Sequence, residues 1–352
     1  MSVVHTQDHR TAGREAEGAE ARLGVIGLGR MGAMHAANAA RIAGLRVVAV
    51  SDPHGPSLVA ASERLGAAGH PDWRELVGRD DLDAVLICSP SFAHCDQIIA
   101  AAEAGLHVFC EKPIDLDLAC IDEALEAVKR AGVTLQVGFN RRSDRNFAGL
   151  QLRLAAGAIG TPWLLRITAR DPAPQPAAYV RTSGGLFADM TVHDFDLARF
   201  LLGEEVVEVS AVGAALVDPA LAEIPDIDCA ITTLRFASGA LGVIENCRQS
   251  AVGYDQRAEV HGPHGTLSAE NEQADTVVQA DATGVHRSRI AGFLAERYDG
   301  AYLAELEGFA RCLLTGAAPV AGGEDSRRSA IIAAAARRSL DERRPVKVSE
   351  LG

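Results

Sequence analysis

The sequence predicts an α/β fold: an N-terminal Rossmann domain, built on a doubly wound parallel sheet, and a C-terminal α+β domain with an open, largely antiparallel sheet. Three observations predict it. Short apolar runs alternate with helix-period segments through the first 138 residues. One run, Ala84-Val85-Leu86-Ile87-Cys88, is almost wholly apolar, as a strand covered on both faces must be. After residue 139, strand-like stretches follow one another.

The elements can be read in order. Leu23 to Ile26 is a short apolar strand, and Met31 to Ile42 has helical spacing. Arg46 to Val50 is the next strand, then Ser57 to Leu65 a helix. Ala84 to Cys88 precedes a helix from Ala93 to Ala104. His107 to Cys110, a longer helix from Leu116 to Arg130, and a strand from Thr134 to Val137 complete the first domain. In the second, Trp163 to Ala169, Cys229 to Phe236, Ala240 to Glu245, Ala258 to His261 and Thr276 to Gln279 read as strands. The Pro-rich stretch Asp171 to Pro176 reads as a loop. Asp189 to Leu202, Ala301 to Leu314 and Asp325 to Leu340 read as helices, the last packing back on the first domain. The boundaries are 1–20 for a polar, flexible extension, 21–138 for the first domain and 139–352 for the second.

Composition narrows the function. The 352 residues are 48% hydrophobic and 23% charged, with a formal net charge of −13. An acidic chain does not suit nucleic acid, which needs clustered Lys and Arg. No stretch approaches the length and apolarity of a membrane span. Seven cysteines without close C-x-x-C spacing fit neither a disulfide framework nor a zinc knuckle. Residues 1–20 carry no apolar signal core, so a cytoplasmic location is expected.

Gly27-Leu28-Gly29-Arg30-Met31-Gly32 matches G-x-G-x-x-G between an apolar strand and a helix, the context a dinucleotide needs. Gly27 allows the tight turn, Gly29 lets backbone approach the pyrophosphate, and Gly32 permits close helix–strand packing. Asp52 stands twenty positions after Gly32, where a carboxylate accepts hydrogen bonds from the adenosine ribose and repels a 2′-phosphate. NAD is therefore favoured over NADP.

Two clusters carry candidate chemistry. Glu111-Lys112-Pro113 closes a strand at the carboxyl edge of the sheet, where ligands bind in open α/β folds. Lys112 there can stabilise a developing alkoxide; the alternative is a surface lysine in a turn. Ser183 to Asp196 is the second cluster. Asp189 and His193 are four apart, so a helix puts them on one face. A neutral imidazole can take an alcohol proton, with Asp189 orienting it or binding substrate. The alternative is a helix cap and a core histidine. His193, Asp194 and Asp196 converge poorly for a metal, and none is expected.

These residues resemble the glucose–fructose oxidoreductase/inositol dehydrogenase (Gfo/Idh/MocA) family from Arg22 to Val348. The segments that carry the resemblance are the glycine turn, Glu111-Lys112-Pro113-Ile114, Gly138-Phe139-Asn140-Arg141-Arg142, Met190-Thr191-Val192-His193-Asp194-Phe195-Asp196 and Gly253-Tyr254-Asp255-Gln256-Arg257. The resemblance implies that Lys112, Asp189 and His193 are the catalytic set. It implies a substrate pocket of Lys112, Asn140, Arg142, Asp189, His193 and Tyr254. It places Ser89, Pro90, His94, Glu111 and Lys112 along the cofactor, beside Leu28, Arg30, Met31 and the glycines. The implied reaction is oxidation by NAD of a secondary hydroxyl of myo-inositol, with scyllo-inositol, D-chiro-inositol or a pyranose aldose as alternatives. More distant alternatives are an NAD-dependent glycosidase and a non-enzymatic NAD-binding regulator. A homotetramer formed through the second sheet is also implied. Ser143 and Arg145 depart from the family, where an aromatic residue and a proline are common.

Overall fold

The structure is a computed structural model and describes residues 20–218, 221, 224 and 226–352. The expected flexible extension, 1–20, lies almost wholly outside the described residues. Six short strands form the first sheet: β1 (Ala21–Ile26), β2 (Leu45–Ser51), β3 (Ala68–His70), β4 (Ala84–Ile87), β5 (His107–Cys110) and β6 (Leu135–Val137). Their order is β3-β2-β1-β4-β5-β6 and every pair is parallel. The helices between them are α1 (Arg30–Ala39), α2 (Gly55–Leu65), α3 (Trp73–Val77), α4 (His94–Glu103) and α5 (Leu118–Ala131).

Residue alternation distributes this sheet's apolar side chains to two cores. Val85 and Ile87 face Leu76 of α3, Ile98 of α4 and Ile121 of α5. Ala84 and Leu86 face the other way, with Leu23, Val25, Ala36 of α1 and Ala61 of α2. All four residues of β4 are fully buried, which is why its run contains no polar residue. Strand order reverses between β1 and β4, which opens the crevice where doubly wound sheets bind ligands.

The second half contributes α6 (Arg145–Ala155), β7 (Leu164–Arg170), the short α7 (Ala177–Val180), a π-helical turn at Phe187–Thr191 and α8 (Val192–Leu202). It continues with β8 (Val206–Ala214), β9 (Cys229–Phe236), β10 (Leu241–Cys247), β11 (Asp255–Gly262), β12 (Gly265–Ala269), β13 (Val278–Asp281) and β14 (Gly284–Arg287). α9 (Leu294–Thr315), α10 (Gly323–Glu342) and β15 (Val346–Lys347) end the chain. The large sheet runs β12-β11-β7-β10-β9-β8-β15 and is antiparallel except for the β7–β10 pair. One face is covered by α6, α8 and α10, through Phe147, Phe195, Leu201, Ile332 and Ala336. The other carries the exposed side chains of Leu164, Val212, Ile231 and Leu241.

One expectation is corrected and one is extended. The strand at Thr276 to Gln279 forms, shifted to β13, in a separate exposed hairpin with β14 rather than in the main sheet. And α10 is not alone in returning to the first sheet. α9 does so too: its Leu306, Phe309 and Ala310 are buried among the residues of β1, β2 and α1. The parallel sheet needs apolar cover on both faces, and α1 and α2 leave room that α9 fills. The Phe309 ring packs at a tilt against that of Phe109 of β5, their centroids 5.9 Å apart. Phe309→Ala is therefore expected to lower stability by about 3–5 kcal/mol, measured as a lower denaturation midpoint; an unchanged midpoint would remove α9 from this core.

Candidate active site

The cofactor turn has the shape a pyrophosphate requires. Gly27 adopts φ +86°, and a Cβ there would lie 2.6 Å from the Ser89 backbone nitrogen. A Cβ on Gly32 would lie 1.8 Å from the carbonyl oxygen of Gly27. A Cβ on Gly29 would meet nothing within 4 Å, so the chain is open on the side where a ligand approaches. Gly29 caps α1 without a side-chain acceptor, leaving the helix N–H groups free for an anion. Asp52 closes the turn: its Oδ2 accepts the Leu28 N–H at 2.6 Å and its Oδ1 the His54 N–H at 2.7 Å. The carboxylate retains lone pairs for a ribose hydroxyl. Arg30 lies over the Phe293 ring at 5.4 Å, and Met31 packs against the core of the second sheet. The first turn of α1 thus touches both halves.

The lysine turn follows β5. Lys112 precedes a cis Pro113, and its Nζ donates to the Asp189 carbonyl at 2.8 Å and to Asp189 Oδ1 at 3.4 Å. Tyr179 of α7 donates to the same Oδ1 at 2.8 Å, and Arg248, after β10, donates to Oδ2 at 3.0 Å. Burial opposes the charged carboxyl, yet Lys112, Arg248 and Tyr179 together hold it below the usual carboxylate range. Arg248 also reaches Asp171, 3.6 Å away. Burial pushes that carboxyl up to about 6, against the pull of Arg248 and with a further push from Asp189.

His193 is half-buried, edge-on to Phe139 at 6.1 Å, and its Nδ1 has no partner. Burial, then the charges of Lys112 and Arg141, hold its imidazole well below its ordinary value, so it is neutral at neutral pH. Asp189 lies in the π-helical turn and His193 in the α-helix after it. Among the described residues every hydrogen bond to the Asp189 side chain comes from Lys112, Tyr179 or Arg248, so none of them orients the imidazole.

The remaining expected residues divide. Asn140 is buried with its Nδ2 unpartnered, and Tyr254 is buried edge-on to Tyr298 at 5.8 Å. Asn140 follows Phe139, whose ring meets His193, and Tyr254 immediately precedes β11. Arg142 does not line the pocket; it is corrected to a structural role. Its guanidinium pairs with Asp196 at 2.7 Å and Asp325 at 2.9 Å and caps the Val320 carbonyl. The short turn Asn140–Ser143 sends Arg141 and Arg142 to the buried carboxylates of α8, Asp194 and Asp196. Those two carboxylates are thereby matched by arginines rather than arranged as metal ligands. Arg145 is exposed and paired with Glu272 at 2.8 Å.

Around the cofactor loop, Pro90 is exposed and Ser89 donates to Gln97 at 2.6 Å. His94 is fully enclosed, its ring between the Ser89 and Pro113 carbonyls, each at 2.8 Å, so it fastens the loop to the lysine turn. The Glu111 side chain points beneath the cofactor turn to His35, at 2.7 Å, so only its backbone faces the crevice. Tyr179, Arg248 and Asp171 were not expected. Tyr179 lies in the single short turn of α7 and the other two just past the ends of β7 and β10, where no spacing rule applies.

A glycine cradle at the switch point of a parallel sheet, facing a Lys–Asp pair and a neutral histidine, defines a nicotinamide-dependent oxidoreductase. Residues 21–139 match an oxidoreductase family with an NAD-binding Rossmann fold, and residues 147–268 match the GFO/IDH/MocA C-terminal domain. The chain is similar to the myo-inositol 2-dehydrogenase of Thermotoga maritima, at 47% identity over 94% of this chain and 99% of the relative. It is similar to the inositol 2-dehydrogenase of Rhizobium meliloti, at 40% identity over 93% and 99%. The crystal structure of scyllo-inositol dehydrogenase from Lactobacillus casei with bound NAD(H) and scyllo-inositol superimposes with a TM-score of 0.88, at 30% identity over 94% and 99%. The chain belongs to the GFO/IDH/MocA oxidoreductase family, and its cofactor is NAD. Gly32→Ala is expected to abolish NADH binding in a fluorescence titration, whereas Gly29→Ala should leave the fold intact; normal binding by the Gly32 variant would contradict the close approach to Gly27.

Proposed function

We propose that this enzyme oxidises a secondary ring hydroxyl of myo-inositol, giving 2-keto-myo-inositol and NADH. The observation that carries this reading is the neutral His193 beside the Lys112–Asp189 pair, at the carboxyl edge of the NAD-binding sheet. The glycine turn and Asp52 would hold the cofactor, whose nicotinamide C4 supplies the hydride acceptor. Residues 21–138 would bind it, and 139–352 would bind substrate and mediate assembly.

The substrate C–H leaves as hydride, and the hydroxyl proton goes to His193 Nε2, the ring nitrogen not enclosed in the core. Lys112 has three N–H donors and two are directed at Asp189, so the third can hold the substrate oxygen and favour its alkoxide. Asp189 fixes the ammonium. Asn140 and Tyr254 offer polar groups to the remaining hydroxyls. The similarity to both myo- and scyllo-inositol enzymes makes inositols the substrate class, with myo-inositol favoured by the higher identity.

The exposed stripe Leu164, Val212, Ile231 and Leu241 on the open face of the large sheet supports a homo-oligomer built on that face, a tetramer by the family resemblance. Val212 and Ile231 are direct cross-strand neighbours, as are Leu164 and Leu241. Among the described residues no helix is long and apolar enough to cross a membrane, and all seven cysteines are free. Both fit a cytoplasmic location.

NAD reduction should be measured with myo-, scyllo- and D-chiro-inositol and common aldoses; absence of turnover with every inositol would overturn the proposal. kcat/KM should rise with pH as His193 loses its proton, with a midpoint below the ordinary histidine value, because burial and two cations disfavour the imidazolium. His193→Ala should lower kcat by about 10²–10⁴-fold with NADH affinity retained; near-normal turnover would remove His193 from the reaction. Ile231→Asp should dissociate the oligomer in light scattering, and an unchanged mass would place the interface elsewhere.

A further inference from the structure

Three buried titratable side chains lie beneath the cofactor turn, and the hydride transfer does not use them. His35 comes from α1, Glu111 from the end of β5 and Glu305 from α9. Their relative exposures are 0%, 8% and 2%. One nitrogen or oxygen from each lies within 4.8 Å of the others. His35 Nε2 is 2.7 Å from Glu111 Oε1 and 3.9 Å from Glu305 Oε1. Neither oxygen of Glu305 has a hydrogen-bond partner, and neither has His35 Nδ1. The other titratable groups facing the cluster are Cys88, after β4, Cys110 of β5, His94 of α4 and Tyr302 of α9. Among the described residues no lysine or arginine pairs with any of the three.

Charge and tautomer follow from this geometry. Two buried carboxyl groups this close, with no cation, cannot both ionise. Burial, then the charge of Glu111, holds Glu305 far above the carboxylate range, so it is the neutral partner. With its hydrogen on Nε2, His35 donates to Glu111 and leaves no buried N–H unsatisfied. That tautomer occupies the nitrogen a metal would need, which favours a proton-holding cluster over a cation site. The Glu111 carboxylate fills the space left by the missing side chain of Gly138, where a Cβ would lie 3.1 Å from its Oε2.

We propose that His35 and Glu305 are positioning residues for Lys112: His35 fastens Glu111, the neighbour of Lys112 in the chain, to the dinucleotide helix, and Glu305 of α9 backs the His35 imidazole, its Oε1 3.9 Å from Nε2. The cluster acts as a latch, joining α1 and β5, whose ends border the site, to α9. Its effect reaches His193 through Lys112, whose charge is one of the two that depress the imidazole. Loosening the latch lets the ammonium withdraw, and the His193 titration then moves up.

This inference rests on the reading of Lys112 and His193 above, so its test is independent of turnover. Full-length protein carrying ¹³Cε1-labelled histidine is titrated by NMR, with His193→Asn to assign the signal. In Glu305→Leu the His193 midpoint should rise by about half a pH unit or more. kcat should fall about tenfold, with NADH affinity within about twofold of wild type. Glu305→Gln, uncharged like the protonated acid, should match wild type. If Glu305→Leu does not fold, His35→Leu should show the same upward movement. An unmoved midpoint in the folded variant overturns the latch. So does stoichiometric zinc in the wild type that Glu305→Leu loses. Failure of the inositol reading would appear separately, as no NAD reduction by wild type while the titration still reports on the latch.

Discussion

The contact between Lys112 and Asp189 is the constraint on which the site depends. One partner stands at the carboxyl end of a parallel sheet, the other in a turn that precedes a helix packed on a different sheet. They are 77 positions apart in the chain. Arg248, from the same half, also matches Asp189, but among the described residues Lys112 pairs with no other carboxylate, and an isolated buried charge is far costlier than a matched one. The two halves must therefore meet at one particular relative position before the ammonium is matched, and the crevice between them is set by that requirement.

The same logic is repeated around the pair. Arg141 faces Asp194, Arg142 faces Asp196, Arg248 faces Asp189, and Arg297 faces Asp144 at 2.6 Å. Each guanidinium and carboxylate comes from a different element. Apolar packing alone tolerates sliding, whereas a fork-shaped donor set has few acceptable positions. Arginine–carboxylate pairs thus define how α8 sits against the turn after β6 and the end of β10. Catalytic geometry is accurate because its supporting shell is polar and directional.

How much of this was legible in the sequence varied with burial. β4 was readable because both faces are enclosed and its run is apolar throughout, and β5 because only its first residue, His107, is polar and partly exposed. β3 was not: Ala68-Gly69-His70 is short, partly exposed and without an apolar pattern. β8 was missed because a register shift between Val206 and Glu208 breaks its alternation. The glycine turn was readable because backbone sterics demand glycine at fixed spacing. Lys112, Asp189 and His193 were recognisable as candidates, but not their mutual geometry. A helical period cannot anticipate the π turn between Asp189 and His193. Arg142 was expected in the pocket through the family resemblance of Gly138 to Arg142, yet its guanidinium is taken up by Asp196 and Asp325. Tyr179, Arg248 and Asp171 become neighbours only through tertiary structure.

Helix α9 has a consequence for synthesis. Leu306, Phe309 and Ala310 complete the core around β1 and β2, although nearly three hundred residues separate them from the first strand. While the ribosome is still adding the second sheet, the dinucleotide unit has one face uncovered and cannot reach its final packing. Nascent chains therefore carry an apolar surface for most of their elongation, the kind of surface chaperones bind. A fragment cut after β6 would inherit the same deficit, so the cofactor half is not a portable module.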